Sequence, residues 1–252
     1  ISRLPDKSIH RYTYRDLARR AKKLVAALLK LGVHPGDRVA TLCWNHHQHL
    51  EAYFAIPGIE AVVHTLNLRM SPDDLGYIVN HADDKIIIVD QVLLPLFEKF
   101  KSSVSLKVIV IPNGEGPLSK DYLNYEDVVA SGDDSLFAPF EGDENTAALM
   151  CYTSGTTGKP KGVLYSHRSI VLHSMAFLLS SSRLGVNERD VMLPVVPMFH
   201  ASAWGFPFSC SFVGATLVLP GPHLDAENLL GLFESEKVTI TAGVPTVMLG
   251  IL

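Results

Sequence analysis

The fold class predicted for this chain is α/β, built on mostly parallel strands, and three observations predict it. Helical and extended periodicities alternate along the chain. Extended runs such as Lys85-Ile86-Ile87-Ile88-Val89 and Lys107-Val108-Ile109-Val110-Ile111 are continuously apolar, as strands covered on both faces are. Hydrophobic residues make up 47% of the 252 positions and charged residues only 19%, enough apolar material for a large core and too much for a disordered chain. Lys and Arg total 22 against 26 Asp and Glu, a formal charge of -4 with no basic block, so nucleic acid is not an expected partner. Cys43, Cys151 and Cys210 are odd in number, far apart and without C-x-x-C spacing. That is the usage of reduced thiols in the cytoplasm, not of a disulfide or zinc scaffold. No apolar run reaches the ~18 residues of a membrane span, and Ile1-Ser2-Arg3-Leu4-Pro5 has no signal-peptide core, so a soluble protein is expected.

The first helix is announced by Thr13 and Asp16, a capping pair, followed by Leu17, Ala21, Leu24, Val25 and Leu28 on one face, and Gly32 ends it. Pro35-Gly36-Asp37 turns the chain into a strand at Arg38 to Leu42; a helix is expected at His47 to Ile56 and a strand at Ala61 to Thr65. Ser71-Pro72-Asp73-Asp74 combines an N-cap, a first-turn proline and two helix-start acids, and the strands at Lys85 to Val89 and Lys107 to Ile111 come after it. From Pro112 to Asp143 Gly, Pro, Asp and Ser predominate, which predicts a surface connection with a short helix near Tyr125 to Ala130. Further strands are expected at Ala147 to Tyr152, Gly162 to Tyr165, Val191 to Leu193, Thr216 to Leu219 and Thr239 to Ala242. Pro245 opens a last helix that reaches Leu252 without a closing signal, and Ile1 stands where an initiator methionine would. Both features lead to the expectation that the chain is part of a longer protein.

Tyr152-Thr153-Ser154-Gly155-Thr156-Thr157-Gly158-Lys159-Pro160-Lys161-Gly162 places three glycines, four Ser/Thr hydroxyls and two lysines between two strands. Glycines let main-chain N–H groups approach an anion, hydroxyls donate hydrogen bonds or bind a metal, and a lysine supplies a point charge. It is not a Walker A loop, because Gly155 and Gly158 are three apart and Lys159 is followed by Pro. A plain polar hairpin is the competing reading of such a cluster.

This loop resembles the signature of the acyl-adenylate-forming (AMP-binding) superfamily, which includes acyl-CoA synthetases, peptide-synthetase adenylation domains and firefly luciferase. The resemblance extends along the chain. Tyr12-Thr13-Tyr14-Arg15-Asp16-Leu17 is similar to the family's early T-Y-x-E-L, and Asn67 stands where an Asn often follows its third strand. Leu193-Pro194-Val195-Val196-Pro197-Met198-Phe199-His200 is similar to its next motif. The runs Phe199 to Gly205, Leu217 to Gly221 and Ala242 to Val247 resemble the medium-chain fatty acyl-CoA ligase branch most, in which related ligases activate short thioether acids.

The resemblance implies the N-terminal part of the adenylate-forming large domain: stacked, mostly parallel sheets with flanking helices, and sub-lobes of roughly 44–190 and 1–43 plus 191–252. It also implies a two-step reaction, with acyl-AMP formed from ATP and a carboxylate and then converted to a coenzyme A thioester. By the same resemblance Thr153, Ser154, Gly155, Thr156, Thr157, Gly158 and Lys161 hold the β- and γ-phosphates, Thr156 binds Mg²⁺, and Lys161 and His200 serve the reacting groups. Trp204, Gly243, Val244 and Pro245 line the acyl tunnel with His200, and Lys159 is a solvated charge. The amino-acid-activating branch usually has an Asp after this Phe, so His200 points to an uncharged acyl chain, with short thioether, aryl or amino acids as alternatives. The family's Y-G-x-T-E stretch, ribose-binding Asp and C-terminal domain with its lysine are absent, so these residues alone are expected to be inactive. A regulatory nucleotide-binding fragment and an NTP-dependent kinase with a variant loop are the rival classes, and a homodimer is compatible with the resemblance. His46-His47-Gln48-His49 invites a metal reading through His46 and His49, but no further ligand accompanies them and a packed helix is expected. Cys151, inside a strand, is expected to be buried and inert.

Overall fold

The computed structural model describes residues 1–139, 141–153, 158–179 and 185–251. A short antiparallel pair, β1 (Ser2–Arg3) and β2 (Ile9–His10), leads into α1 (Tyr14–Lys30). Thr13 caps this helix by accepting the Asp16 N–H, and the Asp16 carboxylate accepts the Thr13 N–H in return. The face carrying Leu17, Ala21, Leu24, Val25 and Leu28 is buried, and Gly32 leaves the helix at φ +89°, a conformation glycine adopts without strain.

Seven strands make the larger sheet: β3 (Arg38–Leu42), β4 (Val62–Thr65), β5 (Asp84–Asp90), β6 (Lys107–Ile111), β7 (Leu123–Asn124), β8 (Ala147–Thr153) and β9 (Lys161–Ser166). Their spatial order is β7-β6-β5-β3-β4-β8-β9, parallel throughout except for β8 against β9. The helices between them are α2 (His47–Ala55), α3 (Pro72–Ala82), α4 (Leu94–Phe97) and α5 (Tyr125–Ala130). Alternate strand residues serve opposite faces, as a two-residue period requires. Val39, Val63, Ile86, Ile88, Ile109 and Ile111 join α1, α2 and α5 in one core. Ala40, Leu42, Ile87, Val89, Val108 and Val110 meet α3 and α4 in another.

After α6 (His167–Leu179), a second, parallel sheet of β10 (Val191–Pro194), β11 (Thr216–Leu217) and β12 (Ile240–Ala242) has the order β11-β10-β12. The helices α7 (Phe206–Val213), α8 (Ala226–Glu236) and α9 (Pro245–Ile251) accompany it. Leu193 and Val218 pack on α8, whereas Met192, Val196 and Leu217 join the core beneath α1 and α2, so the two sheets stack on shared apolar residues. Among the described residues no helix is long and apolar enough to cross a membrane.

Three expectations are corrected. The N-terminus does lie against the second sheet, with the Ile1 amino group donating to the Leu217 carbonyl and the Arg3 N–H to that of Leu219. β3, however, sits in the middle of the larger sheet between β5 and β4, where both faces of its apolar run are covered, so residues 38–42 belong to that sheet and not to the one formed within 191–252. The strand expected at Thr216 to Leu219 leaves its ladder at Leu217, because Leu219 pairs with Ser2 instead. The 112–143 connection is not purely a surface one, since Tyr125 is fully buried and β7 extends the sheet.

Candidate functional site

Because β3, β4, β5, β6 and β8 run in one direction, their last residues Leu42, Thr65, Asp90, Ile111 and Thr153 share one edge of the sheet. Open α/β sheets bind ligands beyond that carboxyl edge. The glycine-rich loop leaves it at the end of β8 and returns as β9, with Thr153 opposite Lys161 and Tyr152 opposite Gly162. A Cβ at Gly162 would stand 3.2 Å from the Tyr152 ring, so glycine lets that ring lie across the hairpin. The Tyr152 hydroxyl is 2.6 Å from His81 Nδ1 on α3, and the Lys159 ammonium is 4.4 Å from the centre of the Tyr77 ring on the same helix. Both arms of the loop are thereby tied to α3. The sequence predicts a solvated charge at Lys159; the residue is exposed but also makes this cation–π contact, which contributes about 0.5–1 kcal/mol at an exposed site.

Thr153, Gly158, Lys159 and Lys161 are exposed, and no described carboxylate pairs with either lysine. Two exposed cations with no described carboxylate paired to them fit a polyanion. Ser154, Gly155, Thr156 and Thr157, including the expected metal ligand, lie outside the described residues.

The run from Phe199 to Gly205 separates two cavities. One, of about 160 Å³, is bordered by His200, Phe199, Asn67, Arg69, Val244 and Val247. The other, of about 410 Å³, is bordered by Trp204, Leu149, Tyr165, Ile170, His173 and Phe208, with Ala201 and Ser202. The expected tunnel residues are therefore divided: His200 and Val244 face the smaller space and Trp204, 49% exposed, the larger. Gly243 lies under Met248, whose sulfur would be 2.8 Å from a Cβ there, and Pro245 opens α9. Ala201, Ser202, Ala203 and Trp204 have φ of 45°, 52°, 48° and 55°, one turn of left-handed helix that costs roughly 1–2 kcal/mol per residue. The Ala203 N–H, donated to the carbonyls of Pro197 and His200, holds that turn.

Burial, not reactivity, accounts for the histidine cluster and the cysteines. His46 caps α2, its Nδ1 accepting the His49 N–H, which leaves Nε2 to donate to Asp90 at 2.7 Å. Both His49 nitrogens are engaged, by Thr41 Oγ1 and the Trp44 carbonyl. Cys43, His46 and Asp90 do bring ligand atoms within 4.8 Å of one another, a grouping that spacing could not reveal. Asp90 also accepts the Trp44 N–H, however, the Cys43 thiol donates to Ile88, and burial pushes that thiol up, away from the thiolate a metal needs. Cys151 is buried, and burial raises its pKa too.

Sequence reasoning missed Arg69, Tyr165 and His173, which border the two cavities, and the Trp44-Asn45 turn. Only the position of that turn, directly after β3 on the carboxyl edge, could have marked it.

The family model described as AMP-binding enzyme matches residues 3–252. The chain belongs to this AMP-binding enzyme family. It is 48% identical over 252 residues to a long-chain-fatty-acid–CoA ligase of Thermus thermophilus, covering 100% of this chain and 45% of that protein. With a medium-chain-fatty-acid–CoA ligase of Ectopseudomonas oleovorans the identity is 45% over 249 residues, covering 97% of this chain and 45% of the relative. The crystal structure of the anthranilate CoA ligase AuaEII in complex with anthranoyl-AMP superposes with a TM-score of 0.86 at 27% identity, covering 98% of this chain and 46% of that one. This AMP-binding enzyme chain thus spans slightly less than half the length of the curated relatives it matches.

Proposed function

We propose that the complete protein is an AMP-forming fatty acyl-CoA ligase that activates an aliphatic, medium-chain carboxylate. A carboxylate oxygen bonds to the α-phosphorus of ATP as the bond to pyrophosphate breaks. The coenzyme A sulfur then bonds to the acyl carbon as AMP leaves. The residues position and stabilise charge, which is most of what such transfers need from a protein. Thr153, Ser154, Gly155, Thr156, Thr157, Gly158 and Lys161 hold the β- and γ-phosphates. Thr156 would hold Mg²⁺, which would supply further neutralisation of phosphate charge. His200 borders the adenylate and the carboxylate, with Val244, Gly243 and Pro245 behind it. Trp204 belongs to the apolar side of the pocket.

The observation that carries this reading is the mostly apolar cavity of about 410 Å³ walled by Leu149 of β8 and Tyr165 of β9, the two strands that bear the phosphate loop. That volume lies within the range of small-molecule sites. The reading includes a cytoplasmic location, in keeping with three buried free cysteines, and admits a homodimer.

The test is carboxylate-dependent exchange of labelled pyrophosphate into ATP by the full-length protein, with straight-chain, aromatic and amino acids. Each methylene entering a dry pocket contributes about 0.8 kcal/mol, so kcat/KM should rise roughly fourfold per carbon up to an optimum. Trp204→Ala should move that optimum to longer chains. The 252-residue chain alone should give no exchange. Release of ADP, or preference for an amino acid, would overturn the reading.

A further inference from the structure

Asn45, 3% exposed, follows β3 on the carboxyl edge, yet its side chain serves a stretch about 150 residues away. Nδ2 donates to the carbonyls of Pro194 at 3.2 Å and Val196 at 3.0 Å, while Oδ1 accepts the Met198 N–H at 2.7 Å. Its main-chain carbonyl accepts the Gly221 N–H at 2.9 Å. Beyond Pro194 the stretch leaves β10, so its buried polar groups have no sheet ladder to satisfy them. Asn45 takes over that task on one side. On the other, the Ala242 carbonyl accepts the N–H groups of Val195 and Val196 at 2.8 and 3.0 Å, directly before Gly243-Val244-Pro245. The Trp44 ring meets Phe199 edge-on, and the Tyr53 hydroxyl donates to the Met198 carbonyl. The left-handed turn is anchored to this clamp, because the N–H groups of His200 and Ala203 both donate to the Pro197 carbonyl.

We propose that Asn45 is a positioning residue for acid activation. It touches no substrate. It fixes the main chain at 194–198 between the two sheets, and so sets where His200 and the left-handed turn stand relative to the phosphate loop. An amide is the one short side chain that can donate twice and accept once here. Asp keeps only the acceptor, and Ala leaves two carbonyls and one N–H buried without partners. The inference rests on the ligase reading for its kinetics but not for its geometry.

The experiment uses the full-length protein with Asn45→Ala, Asn45→Asp and, as a destabilised control that takes no part in these hydrogen bonds, Leu24→Ala in α1. Asn45→Ala should raise KM for the fatty acid by about tenfold or more, since small misplacements are costly in such sites, and leave KM for ATP within about twofold. Asn45→Asp should fall between the two. Leu24→Ala should lower the amount of folded enzyme without altering either KM. Amide hydrogen exchange should show Met198 and Ala203 losing protection in Asn45→Ala, and Ala203 alone in Asn45→Asp, which still accepts the Met198 N–H, while the β5 amides keep theirs. If Asn45→Ala does not fold, Asn45→Asp, which keeps the volume and the Met198 bond, carries both measurements, with Ala203 as the reporting amide. Unchanged acid KM with unchanged exchange at Ala203 would overturn the proposal, as would parallel rises in both KM values. Absence of acid-dependent exchange in the unsubstituted protein would sink the ligase reading instead, and the Met198 and Ala203 amides would still decide the positioning.

Discussion

Lowering the pH from 7.5 to 5 should weaken this fold through two histidines of α2. The His47 ring stacks on His10 at 3.9 Å, its Nδ1 has no partner among the described residues, and burial pushes its pKa down to about 2. His49 is fully enclosed and burial pushes it down to about 3. The ordinary value is about 6.5, so below it the unfolded chain takes up protons that the native state refuses. Stability is therefore complete above about pH 6.5 and falls as pH drops toward the depressed native values, by about 1.4 kcal/mol per unit for each ring. At pH 5 the two together should have removed about 4 kcal/mol, a large part of a typical 5–15. Burial raises the pKa of Glu51 and Asp84, which opposes the trend, but that contribution is common to variants altered only at the histidines. Urea unfolding followed by circular dichroism at pH 7.5, 6 and 5 is the assay. The midpoint should fall by at least about 1 M, and His47→Gln with His49→Gln should remove most of the fall. Equal pH dependence in the double variant and the parent would refute the reasoning.

Arg20 links α1, α2 and α5 by bonding Glu51 at 2.7 Å and Glu126 at 2.8 Å, and the buried Glu51 also accepts the Tyr125 hydroxyl at 2.8 Å. Arg20→Ala should cost about 3–5 kcal/mol in denaturant unfolding, and Arg20→Ala with Glu51→Leu should recover much of it, because the uncompensated buried carboxylate is the main penalty. In the full-length protein Lys161→Ala should slow adenylation about a hundredfold to a thousandfold while sparing thioester formation from supplied acyl-AMP. Lys159→Ala should cost less than about tenfold, since it loses chiefly its contact with Tyr77. Quenched-flow measurement of the two half-reactions separates these outcomes.

Elements with a local cause were legible in the sequence. Thr13 and Asp16 mark the start of α1 because the capping bonds span only three residues, and Ser71 caps α3 in the same way. The apolar runs of β5 and β6 declare burial on both faces. Strand order was not legible, since nothing within Arg38–Leu42 says that β5 rather than β2 will lie beside it. At the site the loop was readable as a motif, but its anchors His81 and Tyr77 belong to a helix about 70 residues earlier. The run between the two cavities carries a left-handed turn at 201–204 that no residue type there announces: two alanines, a serine and a tryptophan adopt a conformation more natural to glycine.

That inverted turn gives the wall of the larger cavity its own substitution rules. Glycine, ordinarily the residue that loosens a helix, would be the relaxed choice at 201–204, and a β-branched residue the most strained. Enlarging the pocket by trimming toward glycine therefore also releases backbone tension, whereas narrowing it with valine or isoleucine adds to it. On the ligase reading proposed above, changes in acyl preference at these positions would be inherited together with changes in stiffness, and a lineage drifting toward longer acids would meet less resistance than one drifting toward shorter ones.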